Sequence, residues 1–146
     1  MAEDFEAINT WVSATLGADS VLVTAIPRND DPAKARAFYS GATDQQTSRP
    51  FIRWNIAAST EAEVAGDADG HSGNVLDVTV EGEVNSTLED LEPIQARVKA
   101  LLHKATGTAL GRSIFESKRE MVIPLVFNDE GSQYPQITNR FRVRVQ

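Results

Sequence analysis

The alternation of apolar and polar residues between positions 75 and 84 constrains the fold more than any other feature. Its apolar positions are Leu76, Val78, Val80 and Val84, with Gly82 in the same register, and its polar positions are Asp77, Thr79, Glu81 and Glu83. Successive side chains of a strand lie on opposite faces, so one face packs on a core and the other faces solvent. The pattern predicts an antiparallel sheet with one apolar face.

The last strand repeats this alternation with arginines. Phe141, Val143 and Val145 share one face, and Arg140, Arg142 and Arg144 share the other. A nucleic-acid surface is disfavoured, because the chain has a net charge of −7 and no aromatic residue interleaves with these arginines. We expect the arginines to pair with carboxylates on the same subunit or on the next.

Acidic and basic residues are segregated along the chain. No Lys or Arg occurs between Arg53 and Arg97, and residues 131–146 contain three arginines and no acid. Segregated charge can pair within a fold or between subunits, and a solvated surface without a role is the alternative. The residues proposed for subunit or partner contacts are Arg140, Arg142, Arg144, Asp77, Glu81, Glu83, Asp67 and Asp69.

Two segments have the apolar spacing of amphipathic helices. The first covers residues 4–16, and the second runs from Leu91 through Ala105. Ser86 and Glu89 match a capping box ahead of the second helix, and Pro93 predicts a kink or a later start.

Four further strands are predicted around the alternating one. The β-branched run Val21–Ile26 predicts the first, residues 51–56 the second, and the Arg140–Val145 segment the last. Residues 121–127 are apolar on both faces, and Pro124 indicates a sheet edge or a bulge there. Residues 28–49 and 57–74 read as long loops, the second as a mobile excursion.

Together these elements predict a single α+β domain over residues 1–146. It has a mixed, mostly antiparallel sheet of about four to six strands with two helices on one face. The predicted core consists of Ile8, Val12, Trp54, Val78, Val80, Leu91, Val98, Leu101 and Phe141.

Motifs for catalysis or cofactor binding are missing from the sequence. It has no Cys, two His, no Gly-x-Ser-x-Gly elbow and no phosphate loop ending in Lys. Asp67, Asp69 and His71 form the one cluster that suggests a cation, but a calcium loop supplies five or more oxygens. We therefore expect no metal, no cofactor and no enzyme activity. Apolar runs of about five residues also predict no membrane segment, since a bilayer requires ~20.

The order of these elements resembles the tail terminator, or tail completion, proteins of long-tailed bacteriophages. An N-terminal helix, a strand ending in Ile26-Pro27, a long loop and a strand opening on Pro50-Phe51-Ile52 come first. An acidic hairpin, a helix and a closing hairpin with Tyr134-Pro135-Gln136-Ile137-Thr138-Asn139-Arg140-Phe141-Arg142-Val143 follow. The resemblance covers nearly the whole chain and is one of pattern, without a diagnostic short motif.

The resemblance implies a structural role. Members of that family form a ring, commonly a hexamer, that caps the head-proximal end of the tail tube and joins it to the neck. The implied partners are other copies of the chain, the tail tube protein and a neck or connector protein, with DNA only as passing cargo in the lumen. The implied location is the virion, after assembly in the host cytoplasm. The alternatives are another neck component, such as an adaptor or stopper, and a small cytoplasmic enzyme or ligand-binding domain.

Overall fold

One six-stranded sheet organises the described part of the chain. The structure is a computed structural model and describes residues 2–26, 38–40, 49–62 and 71–146. Its helices are α1 Ala2–Gly17, α2 Ser20–Ala25 and α3 Leu88–Leu102. Its strands are β1 Phe38–Ser40, β2 Phe51–Ala62, β3 His71–Glu81, β4 Gly107–Ala109, β5 Arg112–Asp129 and β6 Ser132–Val145.

The strand order is β1-β2-β3-β6-β5-β4, with β1 parallel to β2 and all other pairs antiparallel. The predicted α+β class with a mixed, mostly antiparallel sheet is therefore confirmed. No helix among the described residues has the length and apolarity needed to span a membrane.

The central pair β3–β6 forms the middle of the core. Leu76 lies opposite Phe141, and Val80 lies opposite Ile137; all four side chains are buried. The predicted core is confirmed, except that Leu101 is only partly buried and packs against the core from outside. The register of the predicted strand is thus correct.

The helices pack on the apolar face and are tied to it by polar contacts. The indole Nε1 of Trp54 on β2 donates a hydrogen bond to Asn9 Oδ1 on α1, at 3.2 Å. On α3, Gln95 Nε2 donates to Oδ1 of the fully buried Asn139 on β6, also at 3.2 Å. Such bonds satisfy groups that would otherwise be buried without partners.

The predicted first strand at Val21–Ile26 is wrong, because residues 20–25 form the short helix α2. The side chain of Asp19 accepts a hydrogen bond from the backbone N–H of Leu22 and caps this helix. The guanidinium of Arg97 on α3 contacts both oxygens of Asp19, with Nε at 3.1 and 3.0 Å. The cap and this tertiary ion pair override the β propensity of the valines.

The predicted loops are also too long. β2 continues to Ala62 and β3 begins at His71, so the hairpin strands cover most of the predicted 57–74 excursion. Residues 38–40 of the predicted 28–49 loop form β1. The rest of both predictions, including Asp67 and Asp69, lies outside the described residues.

Two element starts differ from the prediction. The capping box of α3 uses Thr87 and Asp90, one residue later than the predicted pair, and Pro93 is accommodated inside the helix. β5 begins at Arg112 rather than near residue 121, because a short strand, β4, pairs with its first residues.

Removing the Asp19 contacts should destabilise the fold. Asp19→Ala is expected to lower the free energy of unfolding by about 1–2 kcal/mol, because the α2 cap is lost. Asp19→Asn is the matched control, since it keeps a capping oxygen and removes only the charge. Urea unfolding of both variants against the wild type measures the two contributions.

The wild type should have a larger free energy of unfolding than Asp19→Asn, and this difference should depend on pH. The hydrogen-bonded guanidinium of Arg97 holds the pKa of Asp19 below its ordinary value. The charge therefore stabilises the fold above the unfolded-state pKa of about 3.9 and stops doing so as the pH falls through the lower folded-state pKa. A difference between the two proteins that is constant from about pH 3 to pH 7 would contradict this assignment.

Candidate interaction surface

The sheet has one face that no described helix covers, and the strand register shows which side chains lie on it. Asp77, Thr79 and Glu81 of β3 lie opposite Arg140, Thr138 and Gln136 of β6, on the side away from the helices. We call this the open face. Its charged and apolar members include Arg49, Arg53, Asp77, Glu81, Glu116, Lys118, Glu120, Met121, Ile123, Leu125, Phe127, Arg140, Arg142 and Arg144.

The strongest ion pair of the open face joins β3 to β6. Arg140 Nε donates to Asp77 Oδ1 at 2.8 Å, and its second nitrogen Nη2 donates to Oδ2 at 3.0 Å. The two residues are directly opposite each other in the ladder. This two-point contact with Asp77 raises the pKa of Arg140, and such forked pairs are more directional than single contacts.

The other two arginines of β6 pair with carboxylates of β5. Arg142 Nε lies 2.9 Å from a carboxylate oxygen of Glu120, and Arg144 Nη1 lies 3.6 Å from one of Glu116. Each of the three arginines thus has a partner on its own sheet, although only Asp77 comes from the predicted acidic face. Glu116 and Glu120 were missed because β5 was predicted to begin near residue 121, and because two bulges in β5 shift its register on β6.

A second cluster lies where β2 begins and β3 ends. Glu81 accepts ion pairs from Arg49 Nη1 at 3.3 Å and from Arg53 Nε at 3.5 Å. The guanidinium of Arg49 also lies over two rings, 5.0 Å from the centroid of Phe51 and 4.3 Å from that of Tyr134. Arg49 was missed by the sequence analysis because it falls in the segment read as a loop.

The prediction that this whole face is exposed is wrong. Thr79 and Glu81 are 3% and 7% accessible. The hydroxyl oxygens of Thr79 and Thr138 are 2.9 Å apart and share a hydrogen bond, and Arg49 and Arg53 cover Glu81. Long arginine side chains can bury polar groups beneath their stems while their heads stay in water.

Val84 and Glu83 also differ from the alternating pattern. β3 ends at Glu81, so both lie in the turn that follows, and both are exposed. With Arg49 and Tyr134 they line an open depression at the edge of the open face. Glu83 is therefore placed near the arginine cluster.

An apolar strip runs along β5 on the open face. Met121 is 50% accessible, Ile123 37% and Leu125 48%, and Phe127 extends the strip by stacking on Tyr134, with 5.3 Å between ring centroids. The opposite side of the same strand segment is exposed as well, at Val122 and Val126. Contiguous exposed apolar residues of this kind indicate a protein-contact surface.

The open face combines paired charges with an exposed apolar strip, which suits it to docking against protein. Among the described ranges, no group of three or more His, Asp and Glu side chains could hold a metal ion. The predicted cluster around Asp67 and Asp69 is not part of those ranges.

Comparison with known proteins identifies the fold. No family model matches the chain, and no curated protein matches it. A chain in the solved structure "Virion of native gene transfer agent (GTA) particle" matches with a TM-score of 0.64 and 15% sequence identity. The match covers 92% of this chain and 90% of that chain. The two chains share a fold.

The ion pairs of the open face should contribute unequally to stability. Asp77→Ala is expected to lower the melting temperature by a few degrees, because its side chain is 14% accessible and makes two hydrogen bonds. Glu120→Ala is the matched control, because its side chain is 32% accessible and its ion pair with Arg142 lies near the surface. This variant should change the melting temperature little. Thermal unfolding followed by circular dichroism measures both. Equal shifts would show that the Asp77 pair has no special role.

Proposed function

We propose that this chain is a structural protein of a phage-like virion that forms a homo-oligomeric ring. The ring caps the head-proximal end of a tail tube and joins it to the neck. The observation that carries the proposal is the fold shared with a chain of the gene transfer agent virion along nearly the full length of both chains. The role is structural rather than catalytic, and the site of action is the assembled particle.

The order of elements supports the more specific role of a tail terminator. The sequence resemblance rests on an N-terminal helix, a strand ending in Ile26-Pro27, a hairpin, a helix and a closing hairpin. The structure contains all of these except that strand, as α1, β2–β3, α3 and β5–β6. The additional helix α2 replaces a predicted strand. The fold neighbour is described only as part of a virion, so a position elsewhere in the neck, as an adaptor or stopper, is the second candidate.

The charge arrangement supports contact with protein rather than capture of DNA. Arg140, Arg142 and Arg144 each face a carboxylate of the same sheet. A strong phosphate-binding surface would leave such cations unneutralised and would retard DNA that passes through a ring. In this proposal DNA is cargo in the lumen and the arginines act in protein contacts.

The direct test is the native mass of the protein, alone and with purified tail tube protein. We expect a discrete closed multiple of the 15.9 kDa chain, six copies by the family resemblance, that binds the end of the tube. A protein that stays monomeric in both conditions contradicts the proposal. A ring that binds the portal-side ring and ignores the tube assigns the adaptor or stopper role instead.

Charge reversal at Arg142 tests the role of the arginines. Arg142 is 52% accessible, so its guanidinium retains free donors beyond Glu120. Arg142→Glu should leave the subunit folded and weaken assembly, and the effect should vary with salt concentration. Analytical ultracentrifugation over a salt series measures this change.

The matched control exchanges the two charges of the pair. The double variant Glu120→Arg with Arg142→Glu restores an ion pair within the subunit and keeps the net charge. If Arg142 contacts a neighbouring subunit, the exchange fails to restore assembly. Full restoration would show that Arg142 acts only within its own sheet, and loss of duplex DNA affinity with normal assembly would favour a nucleic-acid surface.

A further inference from the structure

The apolar strip on β5 lies on a strand whose outer edge is closed to strand addition. Ser113 and Gln146 donate backbone hydrogen bonds to each other, at 2.9 and 2.8 Å. Along an antiparallel strand, successive residues direct their backbone groups alternately to one neighbouring strand and to the other. Even-numbered residues of β6 therefore direct their backbone groups toward β5. Ile137, at an odd position, directs its groups toward β3. Pro124 lies opposite Ile137 and therefore has its backbone nitrogen on the outer edge.

A proline on the outer edge has consequences for what can bind there. It has no N–H to donate, and its ring occupies the space that a new strand would fill. Edge prolines are a known protection against unwanted strand pairing. A partner must therefore contact the strip through its side chains, and Met121, Ile123 and Leu125 present those on the open face.

The open face has an excess of positive charge, although the whole chain is acidic. Its described cations are Arg49, Arg53, Lys118, Arg140, Arg142 and Arg144, and its described carboxylates are Asp77, Glu81, Glu116 and Glu120, with Glu83 at its edge. The net charge of the whole chain is −7. The compensating acids therefore lie elsewhere on the molecule.

The helical layer on the opposite side of the sheet supplies an acidic surface. Its exposed carboxylates are Glu6, Glu89, Asp90 and Glu92. The bases within the three helices, Arg97 and Lys99, are half-buried, and Arg97 is paired with Asp19. One exposed base, Lys104, directly follows α3, so the carboxylates remain in excess. The helices α2 and α3 also carry exposed apolar side chains, at Val21, Pro93, Ala96 and Ala100.

We propose that the open face of one subunit docks against the helical layer of a second copy of this chain, with the β5 strip on the exposed apolar residues of α2 and α3. The two surfaces have opposite charge, and each carries apolar residues that the other can cover. Because the two surfaces differ, each bound subunit keeps one of them free, and such head-to-tail contacts form a ring when the rotation between neighbouring subunits closes. The inference rests on the proposed ring and specifies its subunit interface.

Two variants, one for each surface, test the interface. Leu125→Asp places a charge in the strip, and Ala96→Arg places a large cation on the helical layer. Both residues are exposed in the subunit, so both variants should fold, as circular dichroism can verify. Each alone is expected to weaken self-association by at least about tenfold, because truncating or charging the centre of an interface has effects of this size.

Mixing the two variants gives the decisive result. Each variant retains one intact surface, so the mixture should form a heterodimer that grows no further. Leu110→Asp is the matched control, since Leu110 is 62% accessible in the β4–β5 turn and belongs to neither surface as defined above. This control should assemble like the wild type.

The outcomes separate this inference from the proposed function. If the wild type assembles and Leu125→Asp assembles equally well, the interface is wrong and the ring proposal stands. If both single variants are monomeric but their mixture forms no heterodimer, the contact is not head-to-tail and the inference fails. If Leu125→Asp forms normal rings but no longer binds tail tube protein, the strip docks the tube instead. A wild type that never assembles overturns the inference and the ring together.

Discussion

The pairing of β3 with β6 determines how the rest of the molecule is arranged. Leu76 and Val80 meet Phe141 and Ile137 of β6 on one face, so the helices have one place to pack. The same register places Asp77 opposite Arg140 on the other face. A shift by one residue would bury that ion pair under the helices and expose the valines, which hydrophobic burial opposes. One constraint thus creates both the core and the open face.

The sequence was most informative where one face of an element is apolar and the other polar. The strand around Val78 and the helix around Val98 follow periods of two and 3.6 residues, and both were predicted with their buried positions, apart from the partly buried Leu101. The run at Val21–Ile26 was mistaken for a strand because its local propensity is opposed by a contact with Arg97, far away in the chain. Strand extensions through small residues such as Ala57 and Ala58 were missed, since they carry no apolar alternation.

The candidate surface was predictable only in part for the same physical reason. The alternation of apolar residues and arginines in β6 was enough to place the arginines on one face of the strand. Their partners Glu116 and Glu120 depend on the β5–β6 register, which two bulges in β5 shift. The stacking of Arg49 over Phe51 and Tyr134 joins residues from distant parts of the chain and leaves no local pattern. Contacts of this kind become visible only when the strands have been paired.

The central claim is that the open face of the sheet is a covered protein contact in the working assembly. Hydroxyl-radical footprinting of the wild-type protein, as assembly and after dilution to subunits, tests it without any substitution. The labelling of Met121, Ile123 and Leu125 should fall several-fold in the assembly, and that of Leu110 should stay unchanged. Equal labelling of the strip in the assembled and dissociated protein would contradict the claim.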